Sequence, residues 1–80
     1  MAISIILIRL MTFEELQVGD YFRIPGISAD CAYRKASDFY CSQNSLLQPI
    51  RHETTVVLLT PAEVRSYFAA RQAFLLSLKN

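Results

Sequence analysis

Apolar and polar positions divide the chain into a leader, a run of short alternating segments and a helical tail. Residues 2–10, Ala-Ile-Ser-Ile-Ile-Leu-Ile-Arg-Leu, are nearly all apolar. Their isoleucines favour a strand, with Ile3, Ile5, Leu7 and Arg9 on one face and Ser4, Ile6, Ile8 and Leu10 on the other. The run is far shorter than the ~20 residues a membrane helix needs. It lacks the preceding Lys or Arg and the following small-residue site of a secretory signal. Two readings stand: a leader strand over 1–10, or a dispensable extension with Met11 as the true start.

The stretch from Phe13 to Phe22 sets up the β segments. Thr12 is placed to cap a short helical turn, with Glu15 three residues on to return the hydrogen bond. Phe13 and Leu16 fall on one face of that turn. Gly19 supplies backbone freedom for a bend, and Asp20 stabilises it through its own backbone. From Asp20 to Ile24 the alternation puts Phe22 and Ile24 on one face and Tyr21 and Arg23 on the other. Pro25-Gly26 ends the strand.

Residues 27–30 read as a loop and Cys31 to Ser37 as a strand, with Tyr33 and Lys35 on one face and Ala32, Arg34 and Ala36 on the other. Ser37-Asp38 marks a tight turn. Phe39 to Gln43 is the return strand, with Phe39 and Cys41 on the same side. Residues 43–49 read as a loop that drops one of Leu46 and Leu47 into the core. Thr54 to Leu59 is the clearest strand, apolar on both faces from Val56 to Leu59, and such a strand demands cover on both sides.

Thr60-Pro61-Ala62-Glu63 then combines an N-cap threonine, a first-turn proline and a glutamate three residues after the cap. The helix is expected over 61–78. At 100° per residue Val64, Tyr67, Phe68, Arg71, Leu75 and Leu78 form one stripe, with Phe74 at its edge. A helix of ~18 residues spans roughly 27 Å, longer than a six-residue strand of about 20 Å. Its end is therefore expected to overhang the sheet.

The pattern Phe13-x-x-Leu16-x-x-Gly19-Asp20-x-Phe22, followed by Tyr33-x-Lys35, resembles that of short bacterial and phage proteins, many of them cyanobacterial. These are generally uncharacterised and taken to be small SH3-like β barrels. The resemblance spans about a third of the chain and rests on core and turn residues. It implies a fold and transfers no functional residue. The apolar leader and the C-terminal helix depart from it. The fold expected is mainly β with one C-terminal α-helix, a small SH3-like or open β-barrel. It forms a single domain over 1–80, with the β core at 12–60.

Composition bounds the rest. A hydrophobic fraction of 52% with 19% charged residues excludes a disordered chain. Eighty residues bury only about 60% of the unfolded surface, so the domain is marginal by itself. A net charge of +1, with the charges scattered, supplies no long-range field to attract nucleic acid or membrane. Cys31 and Cys41 form no CxxC pair and no zinc set. Without a secretory signal they read as free thiols in a reducing cytoplasm, a disulfide between them being the minor alternative.

His52, the only histidine, has no nucleophile or orienting partner in the pattern. It reads as a loop residue. Arg71 sits inside the apolar stripe, its stem packed and its head in water, or paired with an acid on the sheet or in a second subunit. No catalytic, metal or phosphate-loop set is present, so no enzyme and no cofactor is expected. Two readings of function stand. The first is a non-catalytic protein-interaction module, a homodimer or a binder of another protein, using Phe74, Leu75, Leu76, Leu78 and Arg71. The alternative is a nucleic-acid-associated small barrel using Tyr21, Arg23, Tyr33, Arg34, Lys35 and Tyr40, where basic and aromatic residues interleave. No membrane partner is expected.

Overall fold

The structure, a computed structural model, describes residues 9–27 and 31–78. Six strands, β1 (Leu10–Thr12), β2 (Tyr21–Arg23), β3 (Tyr33–Lys35), β4 (Tyr40–Gln43), β5 (Leu46–Pro49) and β6 (Thr55–Leu58), precede one helix, α1 (Pro61–Ser77). The strands form one antiparallel sheet in the order β1-β6-β2-β3-β4-β5. The fold is mainly β with a C-terminal helix, as the hydrophobic pattern predicts. The sheet is open: among the described residues β1 and β5 are unpaired edges. No described helix is long and apolar enough to cross a membrane.

The connector between β5 and β6 shows that the sheet curls. In the strand order these two stand four spacings apart, roughly 19 Å in a flat sheet. Only residues 50–54 join them, and they include a turn closed by Thr54 N–H donating to the Arg51 carbonyl at 3.2 Å. Fully extended they would reach about 20 Å, and a turned segment reaches less. The two strands must therefore approach over the core. A 3-10 turn, Phe13–Glu15, docks on the connector, with Phe13 and Glu14 N–H donating to the carbonyls of Thr54 and His52 at 2.9 and 3.0 Å.

Phe13, Leu16, Phe22, Tyr33, Cys41 and Val56 form the core on one face of the sheet. Phe22 meets Phe13 edge-on at 5.6 Å and stacks on Tyr33 at 5.7 Å. Phe13, Phe22 and Val56 are fully buried, at about 1.5–3 kcal/mol each. β6 is indeed covered on both faces. Val56 points into the core, and Val57 and Leu59 are buried on the other side, which α1 overlies.

Several expectations are corrected. Residues 43–49 are not a loop. Asn44 and Ser45 adopt φ of 53° and 68°, the left-handed pair that a two-residue hairpin turn requires, and Leu46–Pro49 returns as β5. Neither leucine enters the core: Leu46 and Leu47 are 67% and 66% exposed. Phe39 lies outside β4, in the bend that precedes it, and is exposed, unlike Cys41; its ring meets the His52 ring at 4.9 Å. Of the proposed leader, residues 1–8 lie outside the described residues. The strand seen there is Leu10–Thr12, paired with β6 through Leu10–Val57, Met11–Val56 and Thr12–Thr55.

Candidate functional site

The Phe13–Lys35 pattern folds into one unit. Lys35 is 2% exposed, and its Nζ donates to the carbonyls of Leu16, Phe13 and Glu14 at 2.7, 3.0 and 3.3 Å. It also lies 4.7 Å over the Phe13 ring. A buried ammonium needs such saturation. Gly19, at φ +100°, donates to the Lys35 carbonyl at 2.8 Å, and Lys35 N–H returns a bond to Asp20 at 2.9 Å. Asp20 closes the bend by accepting from Gln17 N–H at 2.9 Å. Tyr33 is 7% exposed, and burial pushes its phenol up. Tyr33 and Lys35 are therefore core and clamp, which removes both from the aromatic and basic surface expected of them.

The other members of that surface lie on the opposite face of the sheet. Tyr21, Arg23 and Arg34 share it with Val57 and Leu59, because strand neighbours alternate. Tyr40 is 46% exposed on the same face. α1 crosses this face lightly. Tyr21 meets Phe68 edge-on at 5.5 Å, Val64, Tyr67 and Arg71 are half-buried, and no helical residue is buried. The helix begins as predicted. Glu63 N–H donates to Thr60 Oγ1 at 3.2 Å, and Thr60 N–H to Glu63 Oε1 at 2.9 Å. Arg9 adds a contact that no local pattern announced. It donates to the same carboxylate oxygen at 2.6 Å and to the Leu58 carbonyl at 3.1 Å. The partners are 54 residues apart, beyond any sequence spacing rule.

Beyond Arg71 the stripe leaves the sheet. Phe74, Leu75, Leu76 and Leu78 are 62%, 47%, 53% and 65% exposed. Two grooves flank the inner face of α1. One, of about 410 Å³, lies towards the β4–β5 hairpin. The other, of about 950 Å³, runs along the helix from Glu63 to Phe74. Arg71 lines both, and no described acid pairs with it, so the sheet carboxylate considered for it is not found among the described residues.

Cys31 and Cys41 are not bonded to each other. Cys41 is buried, and desolvation pushes its thiol up, away from nucleophilic character. Among the described residues no cluster of His, Cys, Asp or Glu is placed to hold a metal. No family model, curated protein or solved structure matches the chain.

Proposed function

We propose that the protein is a non-catalytic interaction module that self-associates as a homodimer through the last two turns of α1. The exposure of Phe74, Leu75, Leu76 and Leu78 carries this reading. Four large apolar side chains within five residues at one end of a small domain are a strong association signal. A twofold axis would bring the same patch from two copies together. The other exposed leucines favour it less. Leu46 and Leu47 lie on edge strand β5, where Pro49 has no N–H to offer an added strand. We read the curled open sheet as a small barrel of SH3-like kind, in keeping with the pattern from Phe13 to Lys35, and the protein as cytoplasmic. Another protein with a complementary apolar face is the alternative occupant.

Sedimentation at micromolar concentration tests the proposal. A species near twice the 9.1 kDa chain mass is expected, and Leu75→Glu should convert it to monomer. A wild-type chain that remains monomeric into the hundreds of micromolar overturns the dimer.

A further inference from the structure

The larger groove starts beside the first described residue. Arg9 donates to Glu63 Oε1 at 2.6 Å and to the Leu58 carbonyl at 3.1 Å, and Glu63 lines that end of the groove. Arg9 lies outside β1, so the point at which residues 1–8 join the fold is pinned beside the start of α1. The groove itself asks for apolar cover. Ala62, Ser66, Ala70 and Phe74, each four residues from the next, line it as one stripe along α1. All four are exposed. Leu59 and Ala32, both buried, line its sheet side. Arg23 and Arg71 border it, with stems long enough to keep their charged heads in water.

Residues 1–8, Met-Ala-Ile-Ser-Ile-Ile-Leu-Ile, lie outside the described residues. They carry no charge, and Ser4 is their one polar side chain. From Glu63 to Phe74 α1 rises about 17 Å. Eight residues reach about 26 Å when extended and about 12 Å as a helix, so either form runs along most of the groove. A second copy or a different protein must arrive from solution. This segment is tethered at the groove's end, which gives it a high effective concentration there.

We infer that residues 1–8 lie along the larger groove of their own chain, their isoleucines against Ala62, Ala70 and Phe74. The segment is a built-in cover for the inner face of α1. Leu75, Leu76 and Leu78 line neither groove, so the inference does not rest on the dimer.

Full-length protein labelled at its isoleucine and alanine methyls tests this by nuclear Overhauser contacts. Contacts from at least two of Ile3, Ile5, Ile6 and Ile8 to the Ala62 and Ala70 methyls are expected. A sample mixed from differently labelled chains sorts contacts within a chain from those between chains. Ala70→Phe fills the groove and should remove the contacts to Ala62. Ala69→Phe, outside both grooves, should keep them. Leu75→Glu, the variant that tests the dimer, should keep them too, so loss of the dimer and loss of the cover are read separately. Each variant's melting curve shows whether it is folded, and if Ala70→Phe is not, the wild-type contacts decide. The inference is overturned by a leader without contacts to α1 or with contacts between chains only. Contacts that persist in Ala70→Phe, or vanish in Ala69→Phe or Leu75→Glu, overturn it as well.

Discussion

The chain starts a helix twice with the same device and obtains opposite results. Thr12 with Glu15, and Thr60 with Glu63, are each a threonine with a glutamate three residues on. In both, the threonine N–H donates to the carboxylate, at 2.8 and 2.9 Å. After Thr12 come only three helical residues, and Phe13 there is fully buried. After Thr60 come seventeen, and none is buried. A capping box begins a helix, and tertiary partners decide what becomes of it. At the first site Lys35 takes the carbonyls of Phe13 and Glu14, the acceptors a continuing helix would use, and Gly19 turns the chain into β2. At the second nothing intercepts the ladder. The helix runs on past the sheet, held by its cap, by Arg9 and by Tyr21 against Phe68.

The largest effect should come from removing that interceptor. Lys35→Met keeps the stem and leaves the Glu14 and Leu16 carbonyls without their charged donor, each unsatisfied group costing about 1–3 kcal/mol, while the Phe13 carbonyl keeps the Leu16 N–H at 3.1 Å. Denaturant unfolding should show a loss of about 3 kcal/mol or more. Hydrogen exchange should show lost protection at Phe13 and Gly19 before any change in α1. A variant within about 0.5 kcal/mol of wild type would mean the turn is held by its phenylalanine alone.

Gly19→Val comes next. At φ +100° a β-branched residue is strained, and the added Cβ meets only Arg34 Nη2, at 3.7 Å. The penalty is therefore conformational, about 1–3 kcal/mol. Gly19→Asn, which tolerates positive φ better, should recover part of it. Equal losses for both would shift the cause from backbone angle to packing.

The same contrast separates what was legible in the chain from what was not. The turn, the bend at Gly19, strand β6 and both capping boxes depend on residues close in sequence, and they were legible. The burial of Lys35 was not, since a lysine on a strand reads as solvated until a turn 21 to 22 residues earlier, with Leu16 just after it, presents its carbonyls. β5 was missed because Asn44-Ser45 lacks the glycine that usually marks a two-residue hairpin turn. The apolar end of α1 was legible from comparing lengths. The grooves beside α1 were not, because their walls come from the sheet and the helix together.

Thr60→Ala should have a smaller, local consequence, about 1 kcal/mol. Because α1 buries little, the loss should appear as fraying of the helix in circular dichroism while the core amides keep their protection. Core and helix melting together with a much larger loss would show that α1 is integral to the sheet and would erase the contrast.

Acid should separate the two caps most finely. Thr12 N–H, and then its hydroxyl, hold the Glu15 carboxyl below its ordinary value. Thr60 N–H does the same for Glu63 against the opposing effect of desolvation, with Arg9 adding to the lowering. A carboxyl lowered in the folded state stabilises that state above its unfolded pKa, about 4.3 for glutamate. The contribution fades as pH falls through the folded value. Both caps should therefore hold at neutral pH and weaken only below about pH 4. Both groups are largely solvated, so the effect on global stability is small, and carboxyl shifts rather than melting should be followed. Salt distinguishes the two. Glu15 is lowered by local hydrogen bonds to Thr12, with no charged partner, so its midpoint should stay put between low and high salt. Glu63 also faces Arg9, in a partly exposed pair at 2.6 Å, and screening should raise its midpoint slightly. Arg9→Gln should reproduce that rise and abolish its salt dependence, yet leave the midpoint below the ordinary range, because the Thr60 N–H remains. A Glu63 midpoint that returns fully to that range in Arg9→Gln would mean the ion pair, and not the cap, anchors the start of α1.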